Sequence, residues 1–179
     1  ASISRRKPRP CDIHLQIQQL FTGRTPMEDL KRILHSLPFF EGFSEEHFAL
    51  LVGCARNERA AAGTFLFREG EEATKFFLLR EGRVSVEIHS PGLGPLTVQT
   101  VSENEPLGWS WLFAPYTWHF DAGLTEDTRL VSFDGLCLRT KCENAHTFGY
   151  QLLKRFSSIM TQRIEALSFQ LMDVYGDHA

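Results

Sequence analysis

Between Pro106 and Ala122 the chain reads PLGWSWLFAPYTWHFDA. This stretch holds all three tryptophans of the protein, Trp109, Trp111 and Trp118. Such a cluster has two uses. It can line a pocket that stacks a flat ligand ring, or it can fill a core, which is where large aromatics most often end. Gly108, Ser110 and His119 complete the candidate ligand-binding set with the three rings. His119 and Asp121 are spaced to form a polar pair. A protonated His119 would attract an anion, but an imidazole is largely neutral at neutral pH and replaces an arginine poorly.

The remaining reactive side chains offer less. Cys137 and Cys142 are a pair with four residues between them, and Cys11 and Cys54 stand alone. Zinc and iron–sulfur sites take four ligands at short spacings, so no metal or other cofactor is expected. The cysteines read as reduced thiols of a cytoplasmic protein, with a Cys137–Cys142 disulfide as the regulatory alternative. No P-loop, no nucleophile-elbow motif and no zinc-protease helix is present. Gly92-Leu93-Gly94 reads as a hairpin tip. The carboxylates of Arg68-Glu-Gly-Glu-Glu72 have no nucleophile or base beside them. Nothing here reads as an enzyme.

Composition places these residues in an ordinary globular chain. It has 179 residues, 42% apolar and 23% charged, with a net charge of −3. That suits one domain with helical extensions. The slight negative charge argues against nucleic-acid binding by bulk charge. No apolar run is long enough for a membrane span, and the basic start, ASISRRKPRP, is not a secretory signal.

The elements that must position the aromatic segment follow from periodicity. Residues 1–10 form a basic tail that either stays solvated or orders on a protein partner. Residues 11–59 read as helices. Ile13, Ile17, Leu20 and Phe21 mark the first, Pro26 opens the second and Ser44 caps a third. From 60 to 136 short apolar segments alternate with glycine turns, as in an all-β roll, with the aromatic cassette at 105–122. From 137 to 179 the period is helical. Leu153, Phe156, Met160, Ile164, Leu167 and Leu171 step along one face as a heptad-like seam.

Residues 66–82, LFREGEEATKFFLLREG, with the helical lead-in LPFFEGFSEEHFALL, resemble the cyclic-nucleotide-binding domain family. That resemblance implies a β-roll (a double-stranded jelly roll) with flanking helices, a phosphate-binding cassette and a long C-terminal helix. Nucleotide-binding members begin the cassette with Phe-Gly-Glu and end it near an Arg. The Glu accepts from the ribose hydroxyl and the Arg pairs with the cyclic phosphate. Here Leu107-Gly108 matches Phe-Gly, Trp109 stands at the Glu, and the Arg position falls near Trp118 or His119. No Arg lies between Arg83 and Arg129. The run PLGWSWLF with WHFDA is similar to a bacterial group of single-domain members without a DNA-binding domain.

The resemblance thus implies a non-catalytic regulatory or scaffold module acting through protein contacts. Its expected form is a homodimer through the C-terminal helix, with no direct DNA binding and no membrane. One setting it implies is an accessory subunit of a multi-subunit enzyme such as a soluble NAD-reducing hydrogenase. A small-molecule sensor that uses the aromatic pocket is the alternative.

Overall fold

The computed structural model describes residues 26–90, 92 and 94–176. The expected tail and the helix around Ile13–Phe21 lie outside the described residues. The described residues open with α1 (Pro26–Ser36), a single 3₁₀ turn at Pro38–Phe40 and α2 (Glu45–Val52). Pro26 needs no amide partner in a first helical turn, and Glu28 and Asp29 sit where the helix dipole favours negative charge. Ser44 caps α2 by accepting the His47 amide at 3.3 Å.

Eight strands follow: β1 (Ala55–Ala60), β2 (Phe65–Phe67), β3 (Lys75–Glu81), β4 (Val84–Ser90), β5 (Gly94–Val101), β6 (Pro106–Leu107), β7 (Asp121–Leu124) and β8 (Thr128–Asp134). They form two antiparallel four-stranded sheets, in the orders β1-β8-β3-β6 and β2-β7-β4-β5. The roll therefore begins at Ala55 rather than at 60. The sequence Ala-Arg-Asn-Glu-Arg-Ala carries no apolar alternation, and only its pairing with β8 makes it a strand.

The central strands β3 and β8 of the β1-β8-β3-β6 sheet are buried on both faces, and this explains the unbroken Phe-Phe-Leu-Leu of β3. Successive side chains of a strand point to opposite faces. Phe76 and Leu78 enter one core with Val131 and Phe133 of β8, between the sheet and the helices. Phe77 and Leu79 enter a second core inside the roll, with Val84, Val86, Leu107 and Leu130. The first core is a phenylalanine cluster. Phe40 meets Phe133 at 5.7 Å and Phe76 meets Phe156 edge-on at 4.9 Å between ring centres, the geometry that ring quadrupoles favour.

The C-terminal region is two helices, not the single one expected from 137. They are α3 (Gly135–Asn144) and α4 (His146–Gly176), with Ala145 in a non-helical conformation between them, at φ −127° and ψ 81°. Gly149 makes the reversal sterically feasible. A β-carbon there would stand 2.9 Å from the Cys142 carbonyl oxygen, so the bare α-carbon lets α4 cross close against α3. Among the described residues, no helix is long and apolar enough to cross a membrane.

The thiol expectation is corrected. Cys54 and Cys137 form a disulfide that joins the end of α2 to the first turn of α3. Neither the reduced state nor a Cys137–Cys142 pair describes the molecule, and cysteine usage no longer argues for a reducing compartment. The pairing was hidden because 83 residues separate the partners in sequence. Cys142 is free and half-buried. Burial, with a smaller push from the Glu143 charge, raises its thiol to about 11.

Candidate functional site

The aromatic segment spans β6, a 3₁₀ turn at Ser110–Leu112 and the loop that leads into β7. Gly108 turns the chain with a φ of +83°, a conformation that glycine adopts without strain. Its missing β-carbon also leaves room for Trp118, whose ring atoms would lie 2.6 and 2.8 Å from that carbon. Trp118 is buried and stacks on Phe67 with ring centres 3.7 Å apart and planes 10° apart. Its indole belongs to the core inside the roll. The space above Gly108 is occupied by the protein's own side chain.

Trp111 goes elsewhere. It is fully buried in the other core, edge-on to Phe156 at 5.8 Å. Gly135 admits it, because a β-carbon on Gly135 would stand 2.9 Å from the Trp111 β-carbon and 3.0 Å from the Thr74 carbonyl oxygen. The indole nitrogen of Trp111 is buried without a hydrogen-bond partner. Trp109 is half-buried, as is Ser110. The three rings therefore do not line one pocket. Trp118 and Trp111 fill two different cores and Trp109 sits at the seam with α4.

His119 is exposed, and the expected His119–Asp121 pair is not formed. The Asp121 carboxylate instead accepts from the Glu69 amide at 2.7 Å and from Arg68 Nη1 at 2.9 Å. The amide first, and then the guanidinium, hold its carboxyl below the usual range. The partners that hold Asp121 come from the turn after β2, more than 50 residues earlier in the chain, and sequence spacing does not reveal them.

Two arginines that sequence reading passed over hold the segment from the helices. Arg139 of α3 donates to the Trp111 carbonyl oxygen and lies 4.2 Å over the Tyr116 ring. Arg163 of α4 donates to the Pro106 carbonyl oxygen at 2.7 Å and lies 4.9 Å over the Trp109 ring. With its amide oriented to place oxygen inward, Gln99 of β5 accepts from Arg163 Nε at 3.0 Å. Burial lowers the Arg163 pKa. A cation facing an aromatic plane and a carbonyl together is a directional contact. The segment is thereby tied at one end to α3 and at the other to α4. Arg163 is not one of the apolar seam positions, and no sequence signal marks its partners.

The expected α4 seam divides. Phe156 is 1% exposed and packs against Trp111 and Phe76, so it is a core residue and not an interface residue. Met160 is half-buried against the same core. Leu153, Ile164 and Leu167 are exposed, and with them Phe169 and Met172. The side chain of Leu171 lies outside the described residues. A heptad repeat marks one helix face but not the partner along it. Here Phe156 and Met160 face the domain's own core, while Ile164 and Leu167 are exposed among the described residues.

Two antiparallel sheets closed into a roll, a short helical segment before β7 and a long helix laid across it define a β-roll domain with flanking helices. Residues 57–145 match the cyclic nucleotide-binding domain family, and the chain belongs to that family. Mouse cGMP-dependent protein kinase 2 is 27% identical over 88 residues, which are 49% of this chain and 12% of the kinase. The chain thus spans about an eighth of the length of that curated relative. A cyclic nucleotide-binding-like protein from Brucella abortus is 28% identical, with a TM-score of 0.53 over 64% of this chain and 98% of that one. A cyclic nucleotide-binding domain from Methylobacillus flagellatus shares the fold, with a TM-score of 0.68 over 82% of each chain at 19% identity.

Proposed function

We propose that this domain is a non-catalytic regulatory or scaffold module that acts through protein–protein contacts along the distal half of α4. One observation carries the reading. In the distal half of α4, Ile164, Leu167, Phe169 and Met172 are 64%, 51%, 65% and 65% exposed. Large apolar side chains spaced along an exposed helix mark an interaction surface. A second copy, packed helix to helix, is the occupant we assign to it. A multi-subunit redox enzyme, the setting implied by the sequence resemblance, is a further class of partner for such a module.

The cassette supports a role other than cyclic-nucleotide sensing. Trp109 stands where nucleotide-binding members carry Glu, and Trp118 or His119 stands where they carry Arg. Each charged contact missing from a buried phosphate ester costs about 1.5–3 kcal/mol. Trp118 also fills the space over Gly108. The same packing weighs against a sensor that binds flat ligands among the tryptophans.

Two measurements test this together. Titration with cyclic AMP and cyclic GMP, followed by calorimetry and tryptophan fluorescence, is expected to show no binding at millimolar ligand. Light scattering is expected to give the mass of a dimer, reduced to a monomer by Leu167→Glu. Micromolar nucleotide binding, or a mass that Leu167→Glu leaves unchanged, overturns the proposal.

A further inference from the structure

The seam between α4 and the β5–β6 turn encloses a cavity of about 500 Å³. That is within the range of small-molecule pockets, roughly 300–1,000 Å³. It lies outside the roll and is separate from the space that Trp118 fills. Its polar lining includes Gln99, Asn104, Glu105, Arg155 and Arg163, and Pro38, Phe39 and Ile159 are among its apolar walls.

The charges in this cavity do not balance. Two guanidinium groups face one carboxylate. Arg155 donates through Nη2 to the Glu41 carbonyl oxygen, a neutral acceptor. Arg163 is held by the Pro106 carbonyl oxygen, the Gln99 amide oxygen and the Trp109 ring, all neutral, and none of these contacts uses Nη1. The one acidic group, Glu105, accepts from the Ser102 amide at 2.7 Å through Oε2. It comes from a tight turn in which Asn104 has a φ of +65°. A partly desolvated guanidinium without a full counter-charge attracts an anion strongly. Its planar fork matches carboxylate and phosphate oxygens.

We propose that this seam cavity binds a small organic anion, through carboxylate or phosphate groups, held by Arg155 and Arg163. The two arginines are eight residues apart on one helix, about 12 Å along its axis. That spacing suits an elongated ligand with an acidic group at one or both ends, its middle lying on Pro38, Phe39 and Ile159. Arg163 also touches Trp109, so occupancy is read directly at the cassette. The inference does not rest on the protein-contact reading above.

The test uses the full chain, with glutarate and inorganic phosphate as probes and sodium chloride at matched ionic strength as control. Thermal melting and tryptophan fluorescence are the two readouts. The expected result is a saturable rise in melting temperature and a fluorescence change with at least one probe but not with chloride. A response to phosphate alone assigns a phosphorylated ligand, and a response to glutarate alone assigns a carboxylic acid. Arg155→Gln is expected to weaken half-saturation roughly tenfold, the loss of one charged contact. Glu105→Gln keeps an oxygen for the Ser102 amide, removes the one opposing charge in the lining among the described residues and is expected to tighten binding several-fold. No saturable response beyond chloride, or a response that neither variant shifts, overturns the proposal. Glu105→Gln keeps the test decisive if Arg155→Gln fails to fold.

Discussion

The indole of Trp118 lies so close over Gly108 that a β-carbon at residue 108 would stand 2.6 Å from the ring. The two residues are complementary in shape, and the chain from Trp109 to Thr117 loops out between them. Gly108→Ala must either push the indole off Phe67 or distort a backbone already at positive φ. A loss of about 2 kcal/mol or more is expected, from overpacking and backbone strain together. Trp118→Ala removes the ring, and its cost is expected near 3–5 kcal/mol. Urea unfolding of both variants checks this, and a near-neutral Gly108→Ala would contradict the close contact.

Phe156 and Ile164 belong to the same heptad pattern but to different environments. Phe156→Ala opens a cavity between Trp111, Phe76 and Phe39 and is expected to cost about 3–5 kcal/mol. Ile164→Ser changes a side chain that is 64% exposed. It is expected to alter the stability of the isolated domain by less than about 0.5 kcal/mol. Denaturant melts at concentrations below any self-association compare the two.

The Cys54–Cys137 disulfide closes a loop with 83 residues of sequence separation. Constraining the unfolded chain over such a loop is worth about 2–4 kcal/mol. Reduction with a dithiol is therefore expected to lower the melting temperature by roughly 5–15 °C. Cys54→Ser with Cys137→Ser is expected to melt at the reduced temperature and to be insensitive to the reductant. Equal melting of oxidised and reduced protein would contradict the staple.

Cys142 is predicted to be slow towards alkylating reagents. With its thiol raised to about 11, the reactive thiolate is on the order of 10⁻³ of the total at pH 8. Because deprotonation limits the reaction, the rate is expected to rise about tenfold per pH unit up to about pH 10. Mass spectrometry of iodoacetamide-treated protein measures it. The two disulfide-bonded cysteines stay unmodified in the same digest until the protein is reduced.

Much of the architecture was legible because local pattern and final packing agree. Pro26, Ser44 and the glycine turns carry their meaning in a single residue and its neighbours. The strands around Phe65, Phe76, Val84, Leu96 and Leu130 were visible as short apolar runs. β1 was not, since a strand of Ala, Arg, Asn and Glu is made by the neighbour it pairs with and not by its own propensity. The break at Ala145 was also invisible. It depends on the close crossing that Gly149 permits against Cys142, which lies seven residues earlier in the chain.

The sequence by itself determined that the protein is a β-roll with a long terminal helix, that its cassette carries Trp109 where family members that bind nucleotide carry Glu, and that one face of the helix is apolar. These depend on residue identity and on periodicities of two and about 3.6, which survive without coordinates. Only the tertiary structure decided that Trp118 fills its cassette, that Trp111 serves another core, that Phe156 is interior while Ile164 is not, and that Cys54 bonds to Cys137. Each of these depends on which distant segment occupies the space beside a side chain. Chain order does not encode that distance, because folding brings together residues as far apart in sequence as Glu41 and Arg155.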